Sequence, residues 1–432
     1  MREEIFRRTL IIVVAASFVI NIGFSALSPL FPYLILAIKG VLKELPELSV
    51  GMIRAHEGAV ELGFLTAAFM ITRAPTAGAI GFVSDVIGKK RTILLGMALY
   101  TASALGFILS NSLLLFIVFR ALQGVASGMV WPVAEALLAD VSPRWSRGKA
   151  ISIYASSMMI AQIFGPSLGV AVYKLYVSME GDGNLIFALK TPIVLLALLS
   201  LSSLLTLLSL PSVGGGRVER FGEVVRRLRE TPRRAARSLR VMYINGAING
   251  FAMGIIQTVM IVYIIERIVK DPVYIGIFFS IFALLSLPTT LLAGYLSDRF
   301  RRRKPFVVFG YLIGRTAFFI IPLIRSYLIL LIVGSLISLV FGLSMPAMRA
   351  LQADLAMEGT RGSVFGLQQL FLNAGTFIGS IVGGYLTKIY AVKKIMILGY
   401  TLSGYIVPFW TAGILGFLTT ALFIIFVEER GD

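Results

Sequence analysis

Residues 81–91 read GFVSDVIGKKR, and residues 294–304 read GYLSDRFRRRK. The second segment repeats the glycine, the Ser-Asp pair and the basic end of the first, and Pro75 and Pro288 keep the same spacing. One residue later in register, further matches pair Pro132 with Pro346, Asp140 with Asp354, Arg147 with Arg361, Gly148 with Gly362, Gly165 with Gly379 and Gly169 with Gly383. Because these matches keep a nearly constant spacing across the chain, they indicate an internal duplication.

The sequence around these segments is strongly apolar. Hydrophobic residues make up 57% of the 432 residues and charged residues only 14%, against roughly 25% charged residues in soluble domains. Apolar runs of about 20 residues recur from end to end, and each is long enough to cross the ~30 Å hydrocarbon core of a bilayer as a helix. They predict helices near residues 9–38, 57–84, 91–110, 113–139, 149–174, 186–210, 241–268, 273–297, 305–324, 326–353, 363–390 and 400–427. Since helices satisfy their own backbone in lipid, we expect Pro29, Pro32, Pro132 and Pro346 at kinks rather than in strands.

The duplication and the helix pattern together predict the fold class. We expect an all-α integral membrane protein with twelve transmembrane helices in two pseudo-symmetric six-helix bundles. The predicted halves are residues 1–210 and 241–432, joined by an Arg-rich linker over residues 211–240. Two interpretations of the linker stay open: an amphipathic helix on anionic lipid, with Phe221 and Leu228 on its apolar face, or a solvated charged segment.

Charge placement predicts the orientation in the membrane. The net charge of +18 comes from Lys and Arg residues in short blocks between the apolar runs, which is typical of membrane topology rather than of nucleic-acid binding. Assigning both termini to the cytoplasm puts most of these residues on the cytoplasmic side, so we expect a multi-pass protein of the plasma membrane with cytoplasmic termini. The first apolar run continues to Ile38, which favours an uncleaved span over a secretory signal.

The sequence lacks the residues that metal sites, ATP-binding loops and potassium-channel filters require. The chain has no Cys, and its single histidine, His56, stands in a polar segment between Arg54 and Glu57. We therefore expect no metal site and no other cofactor. A phosphate-binding GxxxxGKS/T loop and a TVGYG filter are both missing, which argues against an ATP-driven pump and against a potassium channel.

The loop GFVSDVIGKKR and its copy resemble the signature loop of the major facilitator superfamily, and the resemblance extends over essentially the whole chain. It implies a secondary transporter that works by alternating access, commonly as a monomer, and in which this loop gates the inward opening. The gating residues implied are Gly81, Asp85, Gly88, Lys89, Lys90, Arg91, Gly294, Asp298 and Arg299. Val86 and Arg301 depart from the family pattern, and a basic loop that only orients the protein is the alternative interpretation.

Four arginines lie inside predicted helices, where a charge is costly unless it is paired or solvated. They are Arg73, Arg120, Arg315 and Arg349. Arg120 stands in RALQGVASG, and this RxxQG pattern resembles the superfamily's fourth-helix motif, where the arginine is linked to proton movement and substrate charge. A structural arginine that bonds to carbonyls of the first helix is the alternative.

Acidic residues near helix ends add candidates for proton coupling and for charge networks. Glu135 and Glu61 join Arg120 as proton-coupling candidates. Glu135 is opposed in the repeat by Arg349 as a possible inner gate pair, with a structural role as the alternative, and Glu61 could instead lie at the outer interface. The predicted inner charge network consists of Asp140, Arg147, Arg349, Asp354 and Arg361.

Polar residues within the apolar runs predict the substrate cavity. The candidates are Asn21, Ser25, Ser28, Arg120, Gln123, Asn249, Gln257 and Asn373, each of which could instead bond between helices. In the fifth helix, GPSLG resembles part of a motif of proton-driven exporters, although Ala161 and Val170 replace its usual glycines. Close helix packing through Gly165, Pro166 and Gly169 is the alternative.

These observations predict a secondary active or facilitative transporter of a small organic solute, with proton-coupled efflux of amphipathic compounds as the leading hypothesis. Uptake of a sugar-like or weakly anionic metabolite is the second hypothesis, and a non-transporting membrane sensor is the alternative from another class. We expect no enzyme, because the sequence offers no convergent set of nucleophile and acid–base groups.

Overall fold

The computed structural model describes residues 2–44, 53–143, 146–180, 184–211, 233–300, 303–356, 361–397 and 399–428. Residues 212–232, which hold most of the predicted linker with Phe221 and Leu228, lie outside these ranges. Neither interpretation of the linker is therefore tested.

The first part of the described chain is helical throughout. Its α-helices are α1 (Arg2–Ala26), α2 (Phe31–Ile38), α3 (Ala59–Ile87), α4 (Lys89–Leu109), α5 (Leu113–Val141), α6 (Arg147–Glu180) and α7 (Leu185–Leu208). A short 3-10 helix, Ala55–Gly58, precedes α3.

The second part contains further helices and one small sheet. Its elements are α8 (Arg233–Tyr263) with a π-helical turn at Ile264–Ile268, α9 (Pro272–Phe300), α10 (Lys304–Ile320) with a 3-10 turn at Ile321–Leu323, α11 (Tyr327–Leu355), α12 (Arg361–Tyr390), β1 (Lys394–Ile397), β2 (Tyr400–Ser403) and α13 (Ile406–Phe426). Helix α8 begins before the predicted start at residue 241, because the Arg- and Ala-rich stretch 233–240 has high helix propensity.

Within the described residues, 11 helices are long and apolar enough to cross a membrane. The two remaining α-helices are α2, which has only 8 residues, and α3, which has 29 residues but carries Glu61 and Arg73 in its apolar sequence. With α2 continuing α1, and with α3 counted as a span, the helices correspond to the twelve predicted ones. The all-α membrane fold predicted from the sequence is confirmed.

Pro29 lies where a predicted helix is broken, whereas other prolines lie inside continuous helices. The single helix predicted over residues 9–38 is broken between Ala26 and Phe31, where the amides of Leu27 and Leu30 form turn bonds of 3.4 and 3.2 Å instead of helical ones. Pro29 lies in this break, and a proline has no N–H to continue the helical ladder. Pro132 and Pro346, in contrast, lie inside α5 and α11.

The start of the last predicted helix at residue 400 is wrong. Tyr400–Ser403 is a strand that pairs antiparallel with Lys394–Ile397, and the helix begins only at Ile406. The segment is rich in Ile, Thr and Tyr, which favour strands, and Gly399 supplies the turn with a φ of 83°. Sequence reasoning missed this hairpin because its apolar residues continue the pattern of the following span.

The chain divides into two compact units. Unit 1 comprises Met1–Glu61, Ala68–Val218 and Val269–Ser280, and unit 2 comprises Leu62–Ala67, Glu219–Ile268 and Ile281–Asp432. In unit 1, an aromatic cluster joins α2, α4 and α5, with ring centroids of Phe31, Phe107 and Phe116 5.0–6.2 Å apart. In unit 2, the core includes fully buried Met242 and Phe423.

Small residues let helix backbones approach closely at matching places in both units. In unit 1, a Cβ on Gly165 of α6 would collide with the Ser25 side chain of α1. In unit 2, a Cβ on Gly379 of α12 would collide with the Phe251 carbonyl of α8. Gly165 and Gly379 are partners in the sequence repeat, so the duplication extends to the packing of the helices.

Candidate functional site

Arg120 of α5 is surrounded by aromatic rings. It lies about 10 Å along the helix from its first residue, and its guanidinium carbon is 4.7 Å from the ring centroid of Phe69, 5.1 Å from that of Phe24 and 5.8 Å from that of Phe31. These rings come from α3, α1 and α2. Its Nη1 donates a 2.8 Å hydrogen bond to Oε1 of Gln123, one turn further along α5. The rings attract the cation through their faces.

Two buried donors at this site have no hydrogen-bond partner. They are Nε of Arg120 and Nε2 of Gln123, and Gln123 is fully buried. Within the described residues, Arg120 forms no ion pair with a carboxylate and no hydrogen bond with a carbonyl of α1. A buried donor without an acceptor costs about 1–3 kcal/mol, so this arrangement favours a ligand with acceptor atoms.

The predicted cavity residues of the first span mostly bond to backbone. Asn21 Nδ2 donates to the Ser17 carbonyl at 2.7 Å, and Ser25 Oγ donates to the Asn21 carbonyl at 2.7 Å. Ser28 is exposed in the break between α1 and α2. Asn21 therefore bonds within its own helix, Ser25 also lies 3.3 Å from the Ala161 carbonyl of α6, and of the three only Ser28 is exposed.

In unit 2, Asn249 of α8 belongs to a network of polar side chains. Its Nδ2 donates to Oδ1 of Asn245, and its own Oδ1 accepts from Arg315 of α10 and, at 3.2 Å, from Oγ1 of Thr419 of α13. Asn245 in turn donates a 2.6 Å bond to the Thr419 carbonyl. Asn249 thus bonds to side chains of α10 and α13.

The other two cavity candidates of the second part of the chain have different surroundings. Asn373 of α12 is buried and accepts a 2.8 Å hydrogen bond from Gln369, one turn earlier on the same helix. Gln257 of α8 is exposed. Both belong to unit 2, and neither takes part in the Asn249 network.

The acidic candidates differ in their partners. Glu61, at the start of α3, accepts a 2.5 Å bond from Nζ of Lys39, and its second oxygen is buried without a partner. Glu135 is exposed on α5 and has no ion-pair partner within the described residues. Arg349 is exposed on α11.

Matching ion pairs occur in the two units. In unit 1, Lys89 at the start of α4 pairs with Asp140 near the end of α5. In unit 2, Arg303 pairs with Asp354 near the end of α11 at 3.0 Å. Asp140 and Asp354 are repeat partners, and each pairs with a cation of the basic loop of its own unit, although Arg303 aligns with Lys90 rather than with Lys89. Arg147 is exposed, and the side chain of Arg361 lies outside the described residues.

A model of the Major Facilitator Superfamily matches residues 13–270 and again residues 242–432, which together span almost the whole chain. The chain belongs to the Major Facilitator Superfamily. It is therefore a multi-pass membrane transporter for small molecules, and the resemblance of its signature loops is confirmed.

Known members of the superfamily resemble this chain over most of its length. Multidrug resistance protein 2 of Bacillus subtilis (strain 168) is 23% identical over 332 residues, which cover 77% of this chain and 81% of that protein. Quinolone resistance protein NorA of Staphylococcus aureus is 21% identical over 361 residues, which cover 80% and 86%.

Solved superfamily structures share the fold. A bacterial homolog of the human lysosomal transporter Spinster, in an inward-facing and unoccupied conformation, has a TM-score of 0.74 at 15% identity, and the match covers 100% of this chain and 98% of that one. The D-xylose–proton symporter has a TM-score of 0.72 at 15% identity, with 98% of each chain covered. At this level of identity the likeness concerns the fold alone.

The superfamily's signature loop is a sharp turn between α3 and α4. Gly88 forms it with a φ of 95°, a conformation that favours glycine. Lys90 donates to the Leu210 carbonyl just after α7, and Arg91 is exposed. The side chains of the remaining gating candidates lie outside the described residues; they are Gly81, Asp85, Gly294, Asp298 and Arg299.

Sequence reasoning overlooked the buried lysine Lys190 and assigned no role to Arg315, which is half-buried. Lys190 of α7 is 4% exposed, and its Nζ donates to the carbonyls of Ile108 and Ser110 and to Oδ1 of Asn111 at 2.6–2.9 Å. Arg315 donates to a carbonyl and to Asn249. Arg315 carried the same signal as Arg120, an arginine inside an apolar run, but no recognisable motif surrounds it.

Proposed function

We propose that this chain exports amphipathic organic compounds across the plasma membrane and couples this export to proton movement. The observation that carries the proposal is the surroundings of Arg120, with three aromatic rings and two buried donors that lack acceptors. The rings suit the apolar body of such a compound, and the donors suit its polar group. The names of two relatives, a multidrug resistance protein and a quinolone resistance protein, support the same class of cargo.

In this proposal, alternating access takes place between the halves 1–210 and 241–432, with both termini in the cytoplasm. The signature loops gate the inner end, and the ion pairs Lys89–Asp140 and Arg303–Asp354 hold the helix ends on which these loops depend. Both pairs are partly exposed, so each contributes about 0–1 kcal/mol to stability and can break during the cycle.

Proton coupling is assigned to the acid with the fewest partners. Glu135 lies on the same helix as Arg120 and is exposed, whereas Glu61 is held by Lys39 at 2.5 Å. Because Glu135 is exposed and forms no ion pair within the described residues, we assign the proton to it. Since Arg120 and Glu135 lie on the same helix, α5 links substrate binding at Arg120 to proton exchange at Glu135.

The test is transport by purified protein in proteoliposomes, with and without an imposed pH gradient. A panel of amphipathic aromatic dyes, sugars and small carboxylates separates the cargo classes. Gradient-dependent accumulation of the dyes supports export, and its loss in Glu135→Gln but not in Glu61→Gln supports the proton assignment. Binding without flux would favour a membrane sensor and contradict the proposal.

The second candidate function is uptake of a sugar-like or weakly anionic metabolite. The donors of Arg120 and Gln123 favour it, because hydroxyl or carboxylate oxygens would satisfy both of them. In the same panel, this function predicts flux of the sugars or carboxylates and none of the dyes.

A further inference from the structure

We propose that the end of unit 2 where α8 begins and α13 ends binds an anionic phospholipid. In this proposal, Arg237 and Arg240 of α8 hold the phosphate of the headgroup. The acyl chains lie along Ile244 of α8 and Ile425 of α13. Because the ligand is a lipid on the lipid-facing surface of unit 2, the inference is independent of which compound the protein transports.

The lengths of the two helices place this surface at the boundary between hydrocarbon and headgroups. Helix α13 has 21 residues and is about 32 Å long, close to the ~30 Å thickness of the hydrocarbon core, so its last residue, Phe426, lies near the boundary. The span that begins in α8 has 34 residues, or about 51 Å, and therefore extends beyond the core. The guanidinium carbon of Arg237 lies 5.4 Å from the ring centroid of Phe426, which places its charge at the level of the headgroups.

The side chain of Arg240 is directed toward the same level. This residue lies about 4.5 Å further along α8 than Arg237, and so deeper in the membrane. Its Nε donates a 3.3 Å hydrogen bond to the Ala236 carbonyl, one turn earlier, so the guanidinium points back toward the start of the helix. Residues three apart share a helix face. Two guanidinium groups therefore lie at the headgroup level on one face of α8.

Neither arginine has an anionic partner in the part of the protein that the structure describes. Both side chains are exposed, and Arg240 donates only the bond from Nε, so N–H groups remain available on both. Glu428 follows α13 and its amide donates to Oγ of Ser238, but its carboxylate forms no ion pair within the described residues. A phosphate diester is the matching ligand, since guanidinium groups form charge-assisted and often bidentate bonds with phosphate oxygens.

The apolar side chains beside the arginines match the acyl chains of the same lipid. Ile244 lies two turns after Arg237 on the same face of α8 and is 53% exposed. Ile425, near the end of α13, is 67% exposed. Because exposed apolar side chains of membrane-spanning helices contact hydrocarbon, the basic surface continues directly into one that acyl chains cover. A free anion would contact the arginines alone, whereas a phospholipid contacts both surfaces.

A third cation fixes the end of α13 beside this surface. Nζ of Lys304, the first residue of α10, donates 2.7 Å hydrogen bonds to the carbonyls of Ile424 and Val427. These bonds satisfy carbonyls that the end of a helix leaves without partners, and so hold Ile425 and Phe426 in place. The positive charge of Lys304 also favours an anionic headgroup over a zwitterionic one.

The test measures which phospholipid lies next to the end of α13. Because the chain has no cysteine, Ile425→Cys can be labelled with a bimane dye at this position alone. The purified full-length protein is reconstituted in mixtures of phosphatidylglycerol and phosphatidylcholine, one of which carries bromine on its acyl chains and quenches nearby fluorescence. We expect phosphatidylglycerol to bind next to the dye about fivefold more strongly than phosphatidylcholine.

Matched variants separate this site from the overall positive charge of the chain. Arg237→Gln combined with Arg240→Gln should abolish the preference for phosphatidylglycerol. Arg8→Gln combined with Lys149→Gln removes the same number of charges from exposed residues of unit 1 and should leave the preference unchanged. If the double variant of α8 does not fold, the single variants Arg237→Gln and Arg240→Gln carry the test, and each should lower the preference about twofold.

Equal quenching by the two brominated lipids, with both arginines present, would overturn the inference. A preference that persists in the double variant of α8 would do the same, and so would a preference that the unit 1 variant also abolishes, because it would then follow net charge alone. Inorganic phosphate added at constant ionic strength should leave the preference unchanged. Its loss would indicate a site for free oxyanions and would contradict the lipid assignment.

Discussion

At the scale of single residues, Arg120 is held by one side-chain hydrogen bond and three aromatic faces. None of these neutralises its charge, and in the proposed function this charge responds to the substrate or to proton exchange. We expect Arg120→Gln to lower the initial rate of dye transport at least tenfold, with Arg120→Lys intermediate, because lysine keeps the charge but not the planar fork. Arg325→Gln, at an exposed arginine outside the site and the signature loops, is the control. A transport rate and proton dependence like those of the wild type would remove Arg120 from the mechanism.

Lys190 has a structural role that its burial predicts. Its ammonium group satisfies two carbonyls at the C-terminal end of α4 together with Asn111. Lys190→Met should lower the free energy of unfolding by roughly 1–3 kcal/mol, because these acceptors lose their donor. Thermal unfolding in detergent measures the change, with Lys149→Met at an exposed site of α6 as the control. Equal unfolding temperatures of the two variants would contradict this role.

The sequence predicted which helices carry a charged residue, but not which residues of other helices contact that charge. Arg120 was found because a charged residue inside an apolar run is unusual and because RxxQG is a recognisable motif. The rings of Phe24, Phe31 and Phe69 could not be assigned to it, since they come from three helices whose rotation no local pattern determines. Arg315 shows the same limit, because Gly416, which leaves room for its side chain, lies on another helix.

At the scale of helices and strands, the spans were predictable because length and hydropathy decide them in a membrane. The residues at which these helices begin and end were less predictable. The break at Pro29 was expected only as a kink, and the hairpin at 394–403 was missed, because its Ile and Tyr residues merge with the apolar span that follows.

The ion pairs of the two units predict that transport depends on contacts between the ends of neighbouring helices. Asp140→Lys should reduce transport, because it places like charges at the facing ends of α4 and α5. The double variant Lys89→Asp with Asp140→Lys should recover at least half of the rate, while unfolding temperatures change little in either case. The same experiment on Arg303 and Asp354 tests the copy in unit 2. Double variants as impaired as the single ones would show that the pairing itself is unimportant.

At the scale of the whole molecule, the orientation can be tested directly, because the chain has no cysteine of its own. Cytoplasmic termini place the α12–α13 hairpin outside the cell. A membrane-impermeant maleimide should therefore label Met396→Cys, at a residue that is 76% exposed, in intact cells, and should label Arg8→Cys only after permeabilisation. Labelling of Arg8→Cys, but not of Met396→Cys, in intact cells would place the termini outside. The proposed topology, and with it the direction of transport, would then be reversed.

The hairpin between α12 and α13 has a practical consequence for imaging. Small transporters are hard to align in electron micrographs when little protein projects from the detergent or lipid around them. Gly399 lies in the hairpin's tight turn, and exposed turn tips are sites where insertions are tolerated. A rigid fiducial protein fused at this turn would be held by two paired strands instead of a flexible loop, and would so provide the asymmetric marker that particle alignment requires.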